Sequence, residues 1–394
     1  MKTIAYFIAL LILFSSWSLC ALAAEDPLKI GFLLPLNGSN APFGQIQKKS
    51  ALMAAAEINA SGGINGKKIE LMIEDTRSHP DTGRAAIEKL IRREKVLVIG
   101  GGFSSSATWA TISIAQQNKM PFLVNSATAD KITEQNWEYI FRLNQPVSER
   151  FKTFASFVKA VATNIRSVAI IYADTLASAS EARRFFNAAR ELTLNPVIRE
   201  SYEASGNDFK PLLGRVKTQN VDLVYLVADD VKQASAMIRQ SRELKLNPKL
   251  FVVAASSFAQ LESGKDAGKA FEHVVSLVPW SSSAPYPGAR QYFEKFAATY
   301  NTPPGYHGAE AYAGMQVMAA ALKHASAPGP GEIRDALAAT DLITVFGPVK
   351  FISYGKKSRQ NKLPMLLVQW INGQPEVVWP EHLATKKAIY PASE

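Results

Sequence analysis

The chain has 394 residues, 47% of them apolar and 20% charged, with a formal net charge of +10. This composition is ordinary for a globular protein and excludes a disordered chain, and the length exceeds one typical core, so two domains are the default. The excess charge sits in scattered pairs (Lys48-Lys49, Lys67-Lys68, Arg92-Arg93, Arg183-Arg184, Lys356-Lys357). With no basic run among them, nucleic acid is not an expected partner.

The first segment reads as an export signal, residues 1–24. Met1-Lys2 gives a positive start, Ile4 to Phe14 is an almost unbroken apolar run, and small Ala21, Ala23 and Ala24 precede Glu25. Cleavage is expected after Ala23 or Ala24, and the periplasm is the expected location. Lipidation of Cys20 is the rival reading, but Leu19 stands where a lipoprotein signal wants a small residue. Cys20 is the only cysteine. The exported protein is therefore expected to lack disulfides and any cysteine-based zinc site. No later stretch reaches 18 consecutive apolar residues.

Strand and helix signals then alternate. Leu28 to Leu34 reads as a buried strand, Phe43 to Asn59 as an alanine-rich helix and Ile69 to Glu74 as a strand. Thr82 to Arg93 reads as a helix with Ile87, Leu90 and Ile91 on one face. Strands at Val96–Ile99 and Phe122–Val124, with a helix between them, complete a first unit that Asn144-Gln145-Pro146 ends. A second unit alternates in the same way. Its helices are expected at Ser148 to Ala162, Ser180 to Leu192, Phe209 to Lys217 and Val231 to Leu244. Its strands are expected at Val168–Tyr172, Val197–Tyr202, Asp222–Ala228 and Leu250–Ala254. Such alternation implies parallel sheets with right-handed crossovers. The fold class is α/β: two doubly wound, Rossmann-like lobes joined by a hinge of several crossings.

The remainder is too short to bury a core of its own. It offers a strand at Val274–Val278, a Ser/Pro linker at Ser281–Pro287 and helices at Gly288–Tyr300 and Gly308–His324. Val349–Ile352 and Met365–Trp370 read as antiparallel strands. The chain is expected to return to the first lobe and then finish the second. The expected lobes are residues 25–145 plus 277–345, and residues 146–276 plus 346–394. A cleft between two hinged lobes is suited to closing on a small solute.

The stretch Ile99 to Thr133 carries the densest functional signal. A strand runs into Gly100-Gly101-Gly102, then Ser104-Ser105-Ser106, and the next strand ends in Asn125-Ser126-Ala127-Thr128. Two neighbouring strand ends thus deliver small hydroxyl residues, and hydroxyls beside a helix start suit an anion such as a carboxylate. The glycines do not complete a dinucleotide fingerprint, because Ser105 stands at the third glycine position. Gly62-Gly63-Ile64-Asn65-Gly66-Lys67 resembles a phosphate loop but has Ser61 and Lys68 at its defining ends, so a turn is expected. No GxSxG elbow is present, and His79, His273, His307, His324 and His382 show no metal spacing, so each is expected to be a surface or packing residue. Asp229-Asp230 lies at a strand end, where one carboxylate could face the cleft or Asp230 could cap the next helix. No enzyme, metal or cofactor is indicated.

Taken together, several segments resemble the leucine/isoleucine/valine-binding protein family, the solute-binding components of ABC importers. They are Ile30-Gly31, Pro35-Leu36-Asn37-Gly38, Phe43-Gly44, Glu57-Ile58-Asn59, Gly62-Gly63-Ile64-Asn65-Gly66, Glu74-Asp75, the serine run, Ser126-Ala127-Thr128, Asp208-Phe209 and Gly347-Pro348-Val349-Lys350-Phe351 with Gly355. The resemblance implies a type I periplasmic binding fold and an inner-membrane ABC permease as partner; a monomer is expected, although the sequence itself does not reveal the oligomeric state. The resemblance also implies a carboxylate cradle at Ser104, Ala127 and Thr128, with Phe43 packing on the ligand side chain. The second lobe departs from the pattern. Ala177-Ser178 stands where the family has Tyr-Gly, Asp229 where an aromatic is common, and no acid falls between Ala254 and Ser257 to grip an ammonium, so either Asp229 takes over the ammonium or the ligand carries none. Arg77 and Phe103 stand in place of a cysteine pair. Arg77 is open to two readings, a bidentate donor to the ligand or a surface pair with Asp75 or Asp81. The ligand-contacting set implied is Phe43, Arg77, Phe103, Ser104, Ser105, Ala127, Thr128, Ala177, Asp229 and Ser256. An amino acid is the leading ligand, with an aromatic or aliphatic acid, or a sensing role for the same fold, as alternatives.

Overall fold

The computed structural model describes residues 26–203, 205–228, 231–254 and 268–392. The signal segment, Cys20, Asp229 and Ser256 lie outside the described residues.

Two sheets divide the chain. The first begins with β1 (Leu28–Leu34), β2 (Ile69–Asp75), β3 (Val98–Gly101), β4 (Phe122–Val124) and β5 (Ile140–Arg142), all parallel, in the spatial order 2-1-3-4-5. The second repeats this plan with β6 (Ser167–Ala173), β7 (Asn195–Tyr202), β8 (Leu223–Val227), β9 (Leu250–Val253) and β10 (Val275–Val278), in the order 7-6-8-9-10. In each sheet the order reverses once, between β1 and β3 and between β6 and β8. Such a reversal leaves a crevice outside the carboxyl ends of the two strands, because their following helices leave toward opposite faces.

Helices cover both faces of the inner strands, which is why those strands read as continuous apolar runs, whereas the edge strand β7 alternates in exposure. Ile30, Phe32 and Leu34 are fully buried, as are Leu223, Val224 and Leu226. The helices Ala41–Ala60 and Gly305–His324 pack together through small residues, among them Ala51, Ala54, Ala309 and Ala313. The helix Ala289–Tyr300 joins them, with the Tyr292 hydroxyl 2.7 Å from Ser50 Oγ.

The final third corrects one expectation. β11 (Asp341–Thr344), β12 (Gly347–Tyr354) and β13 (Lys357–Asn361) extend the first sheet beyond β5, and only β14 (Leu366–Ile371) and β15 (Gln374–Trp379) extend the second. Residues 347–361 therefore belong with the first lobe rather than the second. Val349–Ile352 and Leu366–Ile371 are both antiparallel to their neighbours, as expected, and lie in different sheets. The reason is polar. Gln360 of β13 is fully buried, its Oε1 accepts from Arg142 Nε at 2.6 Å, and its Nε2 donates to the Asn144 carbonyl at 2.8 Å. Those bonds fasten β13 beside β5.

The chain passes between the sheets at residues 143–149, 279–288 and 362–365. One side chain touches all three crossings: Gln145 Nε2 donates to the carbonyls of Pro279 (3.3 Å) and Pro364 (3.0 Å).

Candidate functional site

The crevice of the first sheet is shaped by close backbone approach. β3 runs on through Gly100 and Gly101, two residues past its expected end. Gly101 has φ +108°, and a Cβ there would lie 2.3 Å from the Leu33 carbonyl oxygen, so only glycine fits. The chain then turns through Phe103 and Ser104 into the helix Ser105–Gln117. The loop after β4 is laced to this turn. Ser126 N and Ala127 N donate to the Gly102 carbonyl (3.2 and 3.0 Å), and Ala129 N donates to Ser105 Oγ (3.2 Å). Asn125 closes the seam, accepting from Gly101 N at 2.8 Å and donating to the Glu310 carbonyl at 2.7 Å.

This lacing sorts the predicted residues. Ser104 is half-buried at the cap position of its helix, with its hydroxyl 3.0 Å from that of Ser106 and no capping bond. Thr128 is exposed at the loop's tip. Ser105 is half-buried and already accepts the Ala129 N–H. Ala127 departs from its expected place in the cradle: it is 1% exposed, and its N–H is committed to Gly102.

An aromatic wall stands beside this edge. Phe43 stacks on Phe103 with ring centroids 5.5 Å apart, and both meet His307, at 5.1 and 5.0 Å. Phe43 remains 42% exposed, leaving part of its apolar surface uncovered. Tyr306 packs against His307 at 3.9 Å. Both come from the first turn of the helix Gly305–His324, which starts three residues before the expected Gly308. Pro303-Pro304 was the available start signal, since proline favours the first turn of a helix. His307 is thus a packing residue, but one placed at the site.

Below lies a buried polar network that the sequence did not disclose. Ser126 Oγ donates to Glu310 Oε2, Gln47 Nε2 donates to Ser126 Oγ at 2.7 Å, and His307 Nδ1 lies 3.2 Å from the same Glu310 oxygen. Burial pushes the Glu310 carboxyl above its ordinary pKa, and the bonds from His307, Ser126 and Asn144 counter part of that shift. Arg142 is also fully buried. It donates to Ala129 O (2.7 Å), Ala127 O (3.4 Å) and Thr133 Oγ1 (2.9 Å), and burial lowers its pKa to about 10.

The remaining candidates lie apart from this cluster. Arg77 is 68% exposed, with its Nε 3.6 Å from Asp75 Oδ2, so the surface-pair reading describes it. In the second sheet, Thr175 caps the helix Leu176–Glu191 by accepting from Ser178 N at 3.3 Å, which puts Ala177 in the exposed first turn. Leu176 beside it is 94% exposed. Between the lobes, Thr128, Arg150, Tyr306 and Met365 line a cavity of about 50 Å³. Among the described residues no group of three or more His, Cys, Asp or Glu side chains could hold a metal.

Two doubly wound lobes, with a cleft at the strand ends and a hinge of crossings, define a two-lobed solute-binding protein of type I. The chain belongs to the periplasmic binding protein family, whose profile matches residues 27–375. It is 26% identical over 389 residues to Leu/Ile/Val-binding protein homolog 7 of Brucella melitensis, covering 94% of this chain and 96% of that one. Among solved structures it resembles the branched-chain amino acid transporter substrate-binding protein LivJ of Streptococcus pneumoniae in complex with isoleucine (TM-score 0.70, 26% identity, 90% of this chain and 100% of that one). It shares the fold of an ABC-transporter solute-binding protein of Rhodopseudomonas palustris in complex with 3,4-dihydroxybenzoic acid (TM-score 0.70, 20% identity, 93% and 99%). The family comprises solute-binding proteins of transporters, not enzymes, and implies an extracytoplasmic location.

Proposed function

We propose that this protein is exported through the signal at residues 1–24, binds a small carboxylate-bearing solute between its lobes and delivers it to an ABC permease in the inner membrane. The observation that carries the reading is the lacing of the Ser104 and Thr128 loops beside the Phe43–Phe103 pair. Hydroxyls and a helix start receive the carboxylate, and the rings receive the rest of the solute. Closure about the crossings takes the acid out of water, which strengthens each of those bonds.

Two solute classes fit this half of the cleft, an α-amino acid and an aromatic or aliphatic acid. The similar LivJ is complexed with isoleucine and the R. palustris protein with an aromatic acid. The second class is favoured by Phe43 and Phe103, whose stacked, partly exposed rings suit a planar apolar body.

The test is a thermal-shift screen of the exported protein against amino acids and aromatic and aliphatic acids. A solute at roughly a hundred times its Kd adds about 2.7 kcal/mol of stability. At least one acid is expected to raise the melting point. A screen in which none does would defeat the proposal.

A further inference from the structure

Arg150 opens the helix Arg150–Ala160, directly after the first crossing, and lines the cavity between the lobes with Thr128 and Tyr306 of the first lobe. At about 50 Å³ that space exceeds what a water molecule needs and accommodates an acidic group.

Burial disfavours the charged guanidinium, and the Glu181 carboxylate more than offsets this, but the contact between the two is long. Arg150 Nη1 lies 3.4 Å from Glu181 Oε2, long for a charge-assisted bond. Arg184 holds the same oxygen more closely, from Nε at 3.2 Å and Nη2 at 3.1 Å, while the Tyr225 hydroxyl takes Oε1 at 3.3 Å. Two guanidiniums therefore share one carboxylate, and one positive charge is left over. Arg150 Nε is shielded from solvent and has no hydrogen-bond partner among the described residues. A shielded N–H without an acceptor is costly. This one belongs to a residue that lines the same cavity as Thr128.

We propose that Arg150 is a second anion-holding contact of the cleft, and that the solute is an organic acid with net negative charge rather than a zwitterion. The inference rests on the receptor reading above and narrows it. The acidic group is held by the Thr128 hydroxyl from the first lobe and by the guanidinium from the second, so closure and anion recognition are one event. A zwitterion would bring its ammonium beside a cation that shares its one carboxylate with Arg184, which disfavours it.

The experiment is calorimetric titration of the exported protein with leucine, its 2-oxo analogue, benzoate, 3,4-dihydroxybenzoate and glutarate. Leucine and its 2-oxo analogue share a side chain and differ in the ammonium. At least one acid is expected to bind, and the 2-oxo analogue to bind more tightly than leucine. Arg150→Gln is expected to weaken the best-bound acid about ten-fold or more, and Arg150→Lys to weaken it less. Glu181→Gln removes the competing carboxylate and is expected to tighten the acid by about two-fold or more. Melting points of the unliganded variants separate these effects from misfolding. The proposal is overturned if Arg150→Gln leaves acid affinity unchanged, if leucine outbinds its 2-oxo analogue, or if no acid binds. Loss of binding in a Ser104→Ala/Thr128→Ala double variant, with Arg150→Gln unaffected, would overturn Arg150's role and leave the receptor reading standing. Unchanged binding in both would overturn Arg150's role and the Ser104–Thr128 cradle, and binding of no acid at all would defeat the receptor reading as well.

Discussion

The Arg142 guanidinium donates from Nη1 to the carbonyl oxygen of Ala129 at 2.7 Å, immediately after Thr128. The same nitrogen reaches the Ala127 carbonyl at 3.4 Å, so a buried cation grips the chain on both sides of the exposed threonine. Its Nε and Nη2 bind Gln360 and Thr133, which join β13 to the same loop. Arg142→Met would strand several buried acceptors, each costing about 1–3 kcal/mol. The variant is expected to lose roughly 3–5 kcal/mol of unfolding free energy and to bind its solute more weakly. Arg142→Lys, without the planar fork, is expected to recover only part of the loss. Urea denaturation measures this, and an unchanged midpoint for Arg142→Met would refute it.

Gly314 faces Asn125. A Cβ at Gly314 would sit 2.2 Å from Asn125 Nδ2, the group that donates to Glu310 O. Asn125 has no room to retreat while it also holds Gly101 N. Gly314→Ala is therefore expected to destabilise by about 1–3 kcal/mol, although alanine is the better helix former. A thermal melt showing equal or greater stability would contradict this.

Much of the fold was legible because both faces of the sheets are covered: Leu28–Leu34 and Leu250–Val253 announce themselves as apolar runs. What escaped has physical causes. Glycine is depleted in strands, so Gly100-Gly101 read as a loop, whereas Phe32 and Met318 pack where a Gly100 Cβ would be. β5 has three residues and one is Arg142. β13, Lys-Ser-Arg-Gln-Asn, carries no apolar residue and is held by the bonds of Gln360 to partners more than two hundred positions away. At the site, the hydroxyl runs and Phe43 stand out in sequence. Tyr306, His307 and Glu310 do not, because only the packing of the helix Gly305–His324 against the helix Ala41–Ala60 brings them beneath the strand ends.

Ser104 and Thr128 make the most direct test of the cradle. A hydrogen bond to a charged group contributes about 1.5–3 kcal/mol. Ser104→Ala with Thr128→Ala is expected to cost about 3–6 kcal/mol of binding, a loss of roughly a hundred-fold or more. Titration with the solute found by the thermal-shift screen measures it. Because both hydroxyls lie at the site's edge, the unliganded melting point is expected to stay close to that of the unaltered protein. Undiminished affinity would remove the cradle.

Glu310 gives the fold a pH dependence of known sign. Its pKa is raised above the ordinary 4.5 by burial, so the folded state holds the proton more tightly than the unfolded chain. The stabilisation from that proton is complete below the ordinary carboxylate range and is lost as pH rises through the folded pKa. Asp130 and Asp222 act in the opposite sense. Burial opposes their ionisation, but hydrogen bonds from Ser148 and Lys357 to Asp130, and from Lys249 and the backbone to Asp222, hold both below 3.8. Their contribution is present above that value and lost in acid. Glu310→Gln removes the first effect and leaves the second. The stability advantage of the unaltered protein over Glu310→Gln is therefore expected to shrink as pH rises from about 4 to about 7. Urea midpoints at several pH values decide it: an advantage that stays constant or grows would show that burial does not govern this carboxyl.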